Sequence, residues 1–404
     1  MACLRRFAWS VVLLAILGFR VFPAPLGTVP EGTRLEIRLT TGVSTASAHV
    51  GDPIAALLTV DAPAPGGAVA AGAVIRGTIR EVTPFSWSTP QAALTLDFQE
   101  LVPSSGAAIP IATRVTSVDN AREGIGPHGR ILGITPPHEG PSSAEESVLW
   151  AAIAPELVDV SRLAFDVRKL ERPDITYGPG TDLELELTAA AVGVPLRPTR
   201  IDAVPAGDLQ SIAASQPIRT MAGSPPRPAD VINLAFSAAD DVLEAGFVAS
   251  GWTTAVALGL RADYRTILAV AEDRGYRLGP VSLQTFAGRP PDRVFQKQTN
   301  TFDRRHHVRI WRLPQMVEGR PVWAASATHD VGIKFTRSER TFTHRVETDI
   351  DLERQKIVDD LRFAGFVESF ALAIRPTVPT RMVNATDDEM TTDGRIAVIV
   401  LGRP

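Results

Sequence analysis

Cysteine is almost absent: the 404-residue chain holds one, Cys3. It precedes an apolar run, whereas a lipoprotein cysteine follows one, so lipidation there is excluded. With the amino terminus removed, the chain would have no disulfide, no thiolate metal site and no cysteine nucleophile. A strong charge of one sign is missing as well. The net charge is −4 and the pI near 6.0, which gives no general attraction to nucleic acid or to an acidic membrane surface. Nothing after Arg20 is long and apolar enough to cross a bilayer. Common catalytic signatures are also lacking. There is no G-x-S-x-G, no phosphate loop ending in Gly-Lys-Ser/Thr, no dinucleotide fingerprint and no H-E-x-x-H.

What is present begins at the amino terminus. Arg5 and Arg6 precede an uncharged run over residues 7–19, FAWSVVLLAILGF, which Arg20 ends. Basic residues before a short apolar run are the layout of a secretory signal peptide, and the run falls short of the ~20 residues that span a membrane. The expectation is export to the periplasm or cell envelope, with residues 1–24 as the signal. An uncleaved terminus acting as a membrane anchor is the second choice.

Residues 28–193 read as β-rich. Leu35, Ile37 and Leu39 alternate with charged residues, and Leu183, Leu185 and Leu187 repeat the device. The two ends share Gly-Thr-x-Leu-Glu, from Gly32 and from Gly180. Further strand candidates lie between them at near-regular spacing. A small β-barrel or sandwich whose first and last strands pair would remove the exposed edges. A segment over 142–170 breaks the pattern and reads as a helical insertion. Residues 194–229 combine Pro, Ser, Gly and Arg without periodicity and read as a linker.

From Asp230 to the end at 404 the period changes. Ile232, Leu234 and Phe236 alternate as a strand, Ser237 is placed to cap a helix, and Gly251 to end it. A second helix is expected over 263–274, strands over 306–312 and 322–328, a third helix from Asp349 to Gly365, and a last strand over 396–401. Two helices end alike, in Ala-Ser-Gly-Trp252 and Phe-Ala-Gly-Phe366. The fold class is therefore α+β: an amino-terminal barrel or sandwich, then an α+β sandwich domain.

Several blocks in 230–375 act together: DVINLAF, ASGWTTA, FAGRPPDRVFQK, RRHHVRIW, GRPVWAASATHDVGI and THRVETDIDLERQKIVDDL. In combination they resemble the LssY carboxy-terminal domain family. The family's name links it to type I secretion. In other members the domain follows membrane phosphatase segments of the lipid-phosphatase type. The resemblance does not reach such segments here, so it implies no phosphatase activity, and it assigns no residue a role.

Four of the seven histidines fall between 306 and 344. With Asp330, Asp349, Asp351 and Glu353 they are residue types that bind divalent metal. Negative charge at a helix start also satisfies free N–H groups, which accounts for Asp349, Asp351 and Glu353 without a metal. On a strand, His306 faces one way with Val308 and Ile310, and His307 the other with Arg309 and Trp311. His306 then reads as a hydrogen-bonded core histidine. A hairpin turning near Met316, with Trp311 opposite Trp323, brings His329 to the His307 face as a diagonal neighbour. The candidate polar site is thus His307, Arg309, Trp311, His329, Asp330 and His344. A buried strand–helix interface explains the same residues without function.

Arg289, Arg304 and Arg305 belong to a basic stretch and are candidates for binding an anion. In an exported protein the phosphate of a lipid or envelope polymer is the expected anionic partner, not nucleic acid. The leading functional expectation is an envelope accessory or binding protein, linked to secretion or surface assembly and partnered by an envelope or secretion-system protein. The alternative is a metal-assisted hydrolase of phosphate esters using His307 and His329. No cofactor is expected beyond a divalent metal in that case.

Overall fold

The computed structural model describes residues 25–104, 106–135, 173–254, 284–297, 299–301, 304–336 and 341–404. The signal-like residues 1–24, the helical insertion over 142–170 and the helix expected over 263–274 lie outside the described residues.

The front part is a strongly bent antiparallel sheet. Its main strands are β1 (Arg34–Leu39), β2 (Pro53–Leu58), β3 (Val74–Thr83), β4 (Ala93–Val102), β5 (Thr113–Val118) and β6 (Asp182–Leu187). Their order is β5-β6-β1-β2-β3-β4. Leu35 pairs with Leu185 and Ile37 with Leu183, so the two strands that share a sequence lie side by side. Both leucine–isoleucine sets are buried, while the alternate charged residues face outward. The sheet comes close to closing on itself. Ile109–Pro110 pairs with β4, and Thr113 Oγ1 donates to Phe98 O at 2.9 Å. A barrel-like wall around one apolar core follows, with Ile37, Phe98, Leu185 and Tyr177 inside it.

The second part is built on an eight-stranded sheet among the described residues. Its principal strands are β7 (Leu234–Ser237), β8 (Arg293–Lys297), β9 (Arg304–Val317), β10 (Arg320–Thr336), β11 (Thr341–Val346), β12 (Val367–Ile374) and β13 (Arg395–Leu401). The path runs β8-β9-β10-β7-β13-β12, with β7 and β13 parallel and β11 also on β10. Three helices pack on it: α1 (Gly207–Ser215), α2 (Asp240–Ala249) and α3 (Ile350–Phe363). One face buries Val308 and Ile310 under α2 and α3; the other buries Trp311 and Val322 with Leu209 and Ala213 of α1.

The similar helix endings fold alike. Gly251 and Gly365 take φ of 87° and 81°, a region open to residues without Cβ. Behind them Trp252 N–H donates to Phe247 O and Phe366 N–H to Leu361 O, each at 3.0 Å, which closes a Schellman motif and buries an aromatic residue.

Three expectations need correction. The stretch 194–229 is not an aperiodic linker throughout: it holds α1 and a hairpin of Arg219–Ala222 with Arg227–Val231, and α1 helps close the second core. Ser237 does not cap α2; it ends β7, and Ala239 precedes the helix without a side-chain bond, while Asp240 and Asp241 put negative charge in the first turn, where it offsets the positive end of the helix dipole. The register of β9 and β10 also differs. The turn is Glu318-Gly319, both at positive φ, and Trp311 pairs with Ala324 instead of Trp323. The place of the turn sets the face, since Val317 pairs with Arg320; between Arg312 and Met316, around Pro314 with no N–H to give, the ladder slips by two residues, which keeps every side chain on its face.

Candidate functional site

Changing strand register by one residue turns every side chain to the other face. His329 therefore pairs with His306, not diagonally with His307, and the two imidazoles stack at 4.2 Å with 25° between their planes. His307 and His329 lie on opposite faces of the sheet and cannot grip one ion. This takes His329 out of the site as the sequence drew it.

On the His307 face, β9 and β10 do gather most of the expected residues. Asp330 is buried, with Arg305 Nε at 3.2 Å, His307 Nδ1 at 3.6 Å and His344 Nδ1 at 3.7 Å from its Oδ2. Burial disfavours its charge, yet the His307, His344 and Arg305 side chains turned on it hold Asp330 down to about 2. Burial, with Arg309 and Arg305 nearby, pushes His307 well below the usual imidazole range, so it is neutral; Asp330 does not offset this. Its Nε2 meets Thr328 Oγ1 at 2.7 Å. Arg309 is bonded to Asp230 at 3.2 Å, and Asp230 accepts from Gln284, whose Oε1 accepts from Thr220. Trp311 is fully buried against Phe286 and donates to Arg289 O. The bland account, a packed interior, describes Arg309 and Trp311 well.

The arginines expected to bind an anion do not form one patch. Arg305 is buried on Asp330 and bonded to His344. Arg304 donates to Ala121 O, and Arg289 to Arg312 O. Each thus has an acceptor within the protein.

The other face carries a centre that sequence reasoning missed. His306 is buried between two carboxylates, with Nδ1 at 2.6 Å from Glu353 Oε2 and Nε2 at 2.9 Å from Asp119. Burial opposes its charge, but Asp119 and Glu353 outweigh burial and raise it to about 9, so the ring is an imidazolium that donates twice. His329, under burial and beside that cation, drops to about 4 and is neutral. Asn120 donates to Lys297 O and holds His329 Nε2 at 2.7 Å from its Oδ1. Glu353 comes from the start of α3 and does not face solvent as a helix-start charge would; Asp349 is the actual cap and accepts from Asp351 N.

Asp119 and Asn120 belong to the barrel part, so this centre joins the two parts. Beside it, Asp182 of β6 takes Arg38 at 2.6 and 3.1 Å, Lys297 at 2.6 Å and Lys356 at 3.1 Å. Asp360 of α3 accepts from Arg38 at 2.8 Å and from Trp252 Nε1 at 2.9 Å. Lys356 also lies 3.2 Å from Asp119. Burial disfavours all these charges, but mutual pairing holds Asp182 and Asp360 below the usual carboxylate range and Lys356 well above the usual amine range. Four carboxylates thus meet four cationic side chains. A cleft of about 270 Å³ lined by Asp119, Asp182, Lys356 and Glu36 opens beside them.

The family model LssY C-terminus matches residues 214–396. The carboxy-terminal part is a LssY C-terminal domain. Its match begins inside the stretch whose composition reads as linker, and both β9 and β10 fall within it. No match is found among curated proteins. Among solved structures the chain is similar to ComB10 of the Com type IV secretion system of Helicobacter pylori. Identity is 12%, coverage 40% of this chain and 88% of that one, and the TM-score 0.23. A likeness that slight carries no argument. In the LssY domain the adjacent histidines are split between faces, and only His306 reaches the barrel part.

Proposed function

We propose that this protein is an exported accessory protein of the cell envelope, linked to secretion or surface assembly, that works by binding a partner and not by catalysis. One observation carries the reading: the side chains with the most chemical capacity face inward and act on one another. His307, Arg309 and Trp311 are 4%, 2% and 0% exposed, so no substrate reaches them from the described surface. His306 is held on both ring nitrogens. Charges so arranged unite two parts of one body, as a module presenting a fixed outer surface needs. The signal-like residues 1–24 supply the reason to place it outside the cytoplasm. Its partner is an envelope or secretion-system protein, with anionic lipid or polymer phosphate as the other ligand class; nucleic acid is not expected. The finer architecture, a closed barrel with a helical insertion followed by an α+β sandwich, belongs to the same proposal.

Cross-linking in the native host, read with mass spectrometry of the amino terminus, tests it. The expected outcome is a chain that starts after the first ~20–26 residues and is joined to envelope proteins. Cytoplasmic protein starting at Met1 would refute export. Phosphate-ester hydrolysis that disappears in a folded His307→Ala variant would refute the non-catalytic half.

A further inference from the structure

We infer that Asp119, His306 and His329 form a binding site for one divalent transition-metal ion of the zinc class, placed across the junction of the barrel part and the LssY domain. One ligand atom from each residue lies within 4.8 Å of the other two. Two imidazoles and a carboxylate are a donor set that suits zinc, and a small inward adjustment brings such atoms to the ~2.0–2.2 Å bonds zinc makes.

The surroundings fit a metal site at a second level. A ligating histidine is normally oriented by a hydrogen bond from its other ring nitrogen. Glu353 does this for His306, at 2.6 Å on Nδ1, leaving Nε2 directed at Asp119. Asn120 orients His329 at 2.7 Å and is itself fixed by its bond to Lys297 O. Glu353 also keeps a second oxygen, Oε1, buried and without a hydrogen-bond partner among the described residues, an unfilled acceptor beside the His306 ring. Asp119 lines the 270 Å³ cleft, so the carboxylate end of the site borders open space. An ion would take the place of the proton between His306 Nε2 and Asp119. Lys356, 3.2 Å from Asp119, keeps Asp182 at 3.1 Å as its partner when it yields that position.

The ligands come from both parts of the chain, Asp119 from one and the histidines from the other, so the ion would act as a clamp between them. That role goes beyond the proposed function and stands or falls separately from it. Export and partner capture are read in cells, whereas metal occupancy is read on purified protein.

The test uses untagged full-length protein incubated with zinc sulfate, desalted, and assayed for metal by plasma mass spectrometry. The expected result is about one zinc per chain in the wild type and in His307→Ala on the opposite face. Occupancy falls at least about tenfold in Asp119→Asn and His329→Ala, and returns in His329→Cys, since thiolate is a zinc ligand of equal standing. Should His329→Ala fail to fold by circular dichroism, cobalt substitution decides. A sulfur-to-cobalt charge-transfer band present in His329→Cys and absent from the wild type supports the site. The inference is overturned if the wild type retains no zinc, if folded Asp119→Asn and His329→Ala both keep a full equivalent, or if the cobalt form of His329→Cys lacks that band.

Discussion

His306 and His307 are adjacent on one strand and equally buried, yet one is charged and the other neutral. The difference lies in what each face brings to the ring. His306 has two carboxylates within 2.9 Å, one from the barrel part and one from α3. His307 has one carboxylate at 3.6 Å, already taken by Arg305, and a second arginine close by. Desolvation costs both rings the same kind of penalty; only the first receives enough opposite charge to overcome it. One side of the β9–β10 pair therefore works as an ionic joint between two parts, and the other as the polar lining of a single domain.

The largest effect is expected where the joint has most charge. Asp182→Ala removes the carboxylate shared by Arg38, Lys297 and Lys356, leaving three buried cations to compete for Asp360 and Asp119. Breaking one partner out of a buried ion network costs roughly 3–5 kcal/mol, and this position belongs at the upper end. Urea denaturation should show that loss, with earlier proteolytic separation of the barrel part. A loss below about 1 kcal/mol would mean that water already enters the joint and screens it.

The adjacent histidines offer a sharper contrast. His306→Gln should cost about 3 kcal/mol, because Glu353 stays buried and loses a cationic donor while the amide replaces only one bond. His307→Gln should cost about 1 kcal/mol, since it exchanges a neutral bond to Thr328 for another neutral bond. Equal losses at the two positions, measured in the same denaturant series, would erase the distinction between the faces.

Much of this contrast is legible in the amino-acid sequence. The repeated Gly-Thr-x-Leu-Glu segments pair side by side, because alternation fixes which face is buried and closing the sheet removes an edge. The two Gly-aromatic helix endings also close alike, because the motif is local. The split of His306 from His307 follows from strand geometry alone. Register does not: the hairpin turns at Glu318-Gly319 and not around Met316, and that odd offset carries His329 to the face opposite the one expected, while the irregularity between Arg312 and Met316 shifts the pairing by two and leaves the faces unchanged. Nor is the joint visible, because Asp119 is 187 residues from His306 along the chain. No period or spacing links residues that meet only when two separately patterned parts dock. Glu353 reads as a helix-start charge by its place in the chain, and its packing overrides that reading.

The smallest effect separates the faces by sign. Ser326 lies opposite Arg309 on the His307 side, fully buried, and its hydroxyl has no hydrogen-bond partner among the described residues. A buried hydroxyl without a partner has lost its water and gained nothing in return, a penalty of ~1–3 kcal/mol on the scale of protein substitutions. Ser326→Ala removes that penalty and takes away one oxygen, which leaves too little space to count as a cavity. The variant should be as stable as the parent or up to about 1 kcal/mol more stable, read as an equal or higher urea midpoint with an unchanged slope. On the His306 side, truncating Asp182 leaves a charge behind and must destabilise. On the His307 side, truncating Ser326 leaves nothing behind. A loss of more than about 1 kcal/mol in Ser326→Ala would show that its hydroxyl does have a partner and that the polar lining of this face is as tightly coupled as the joint.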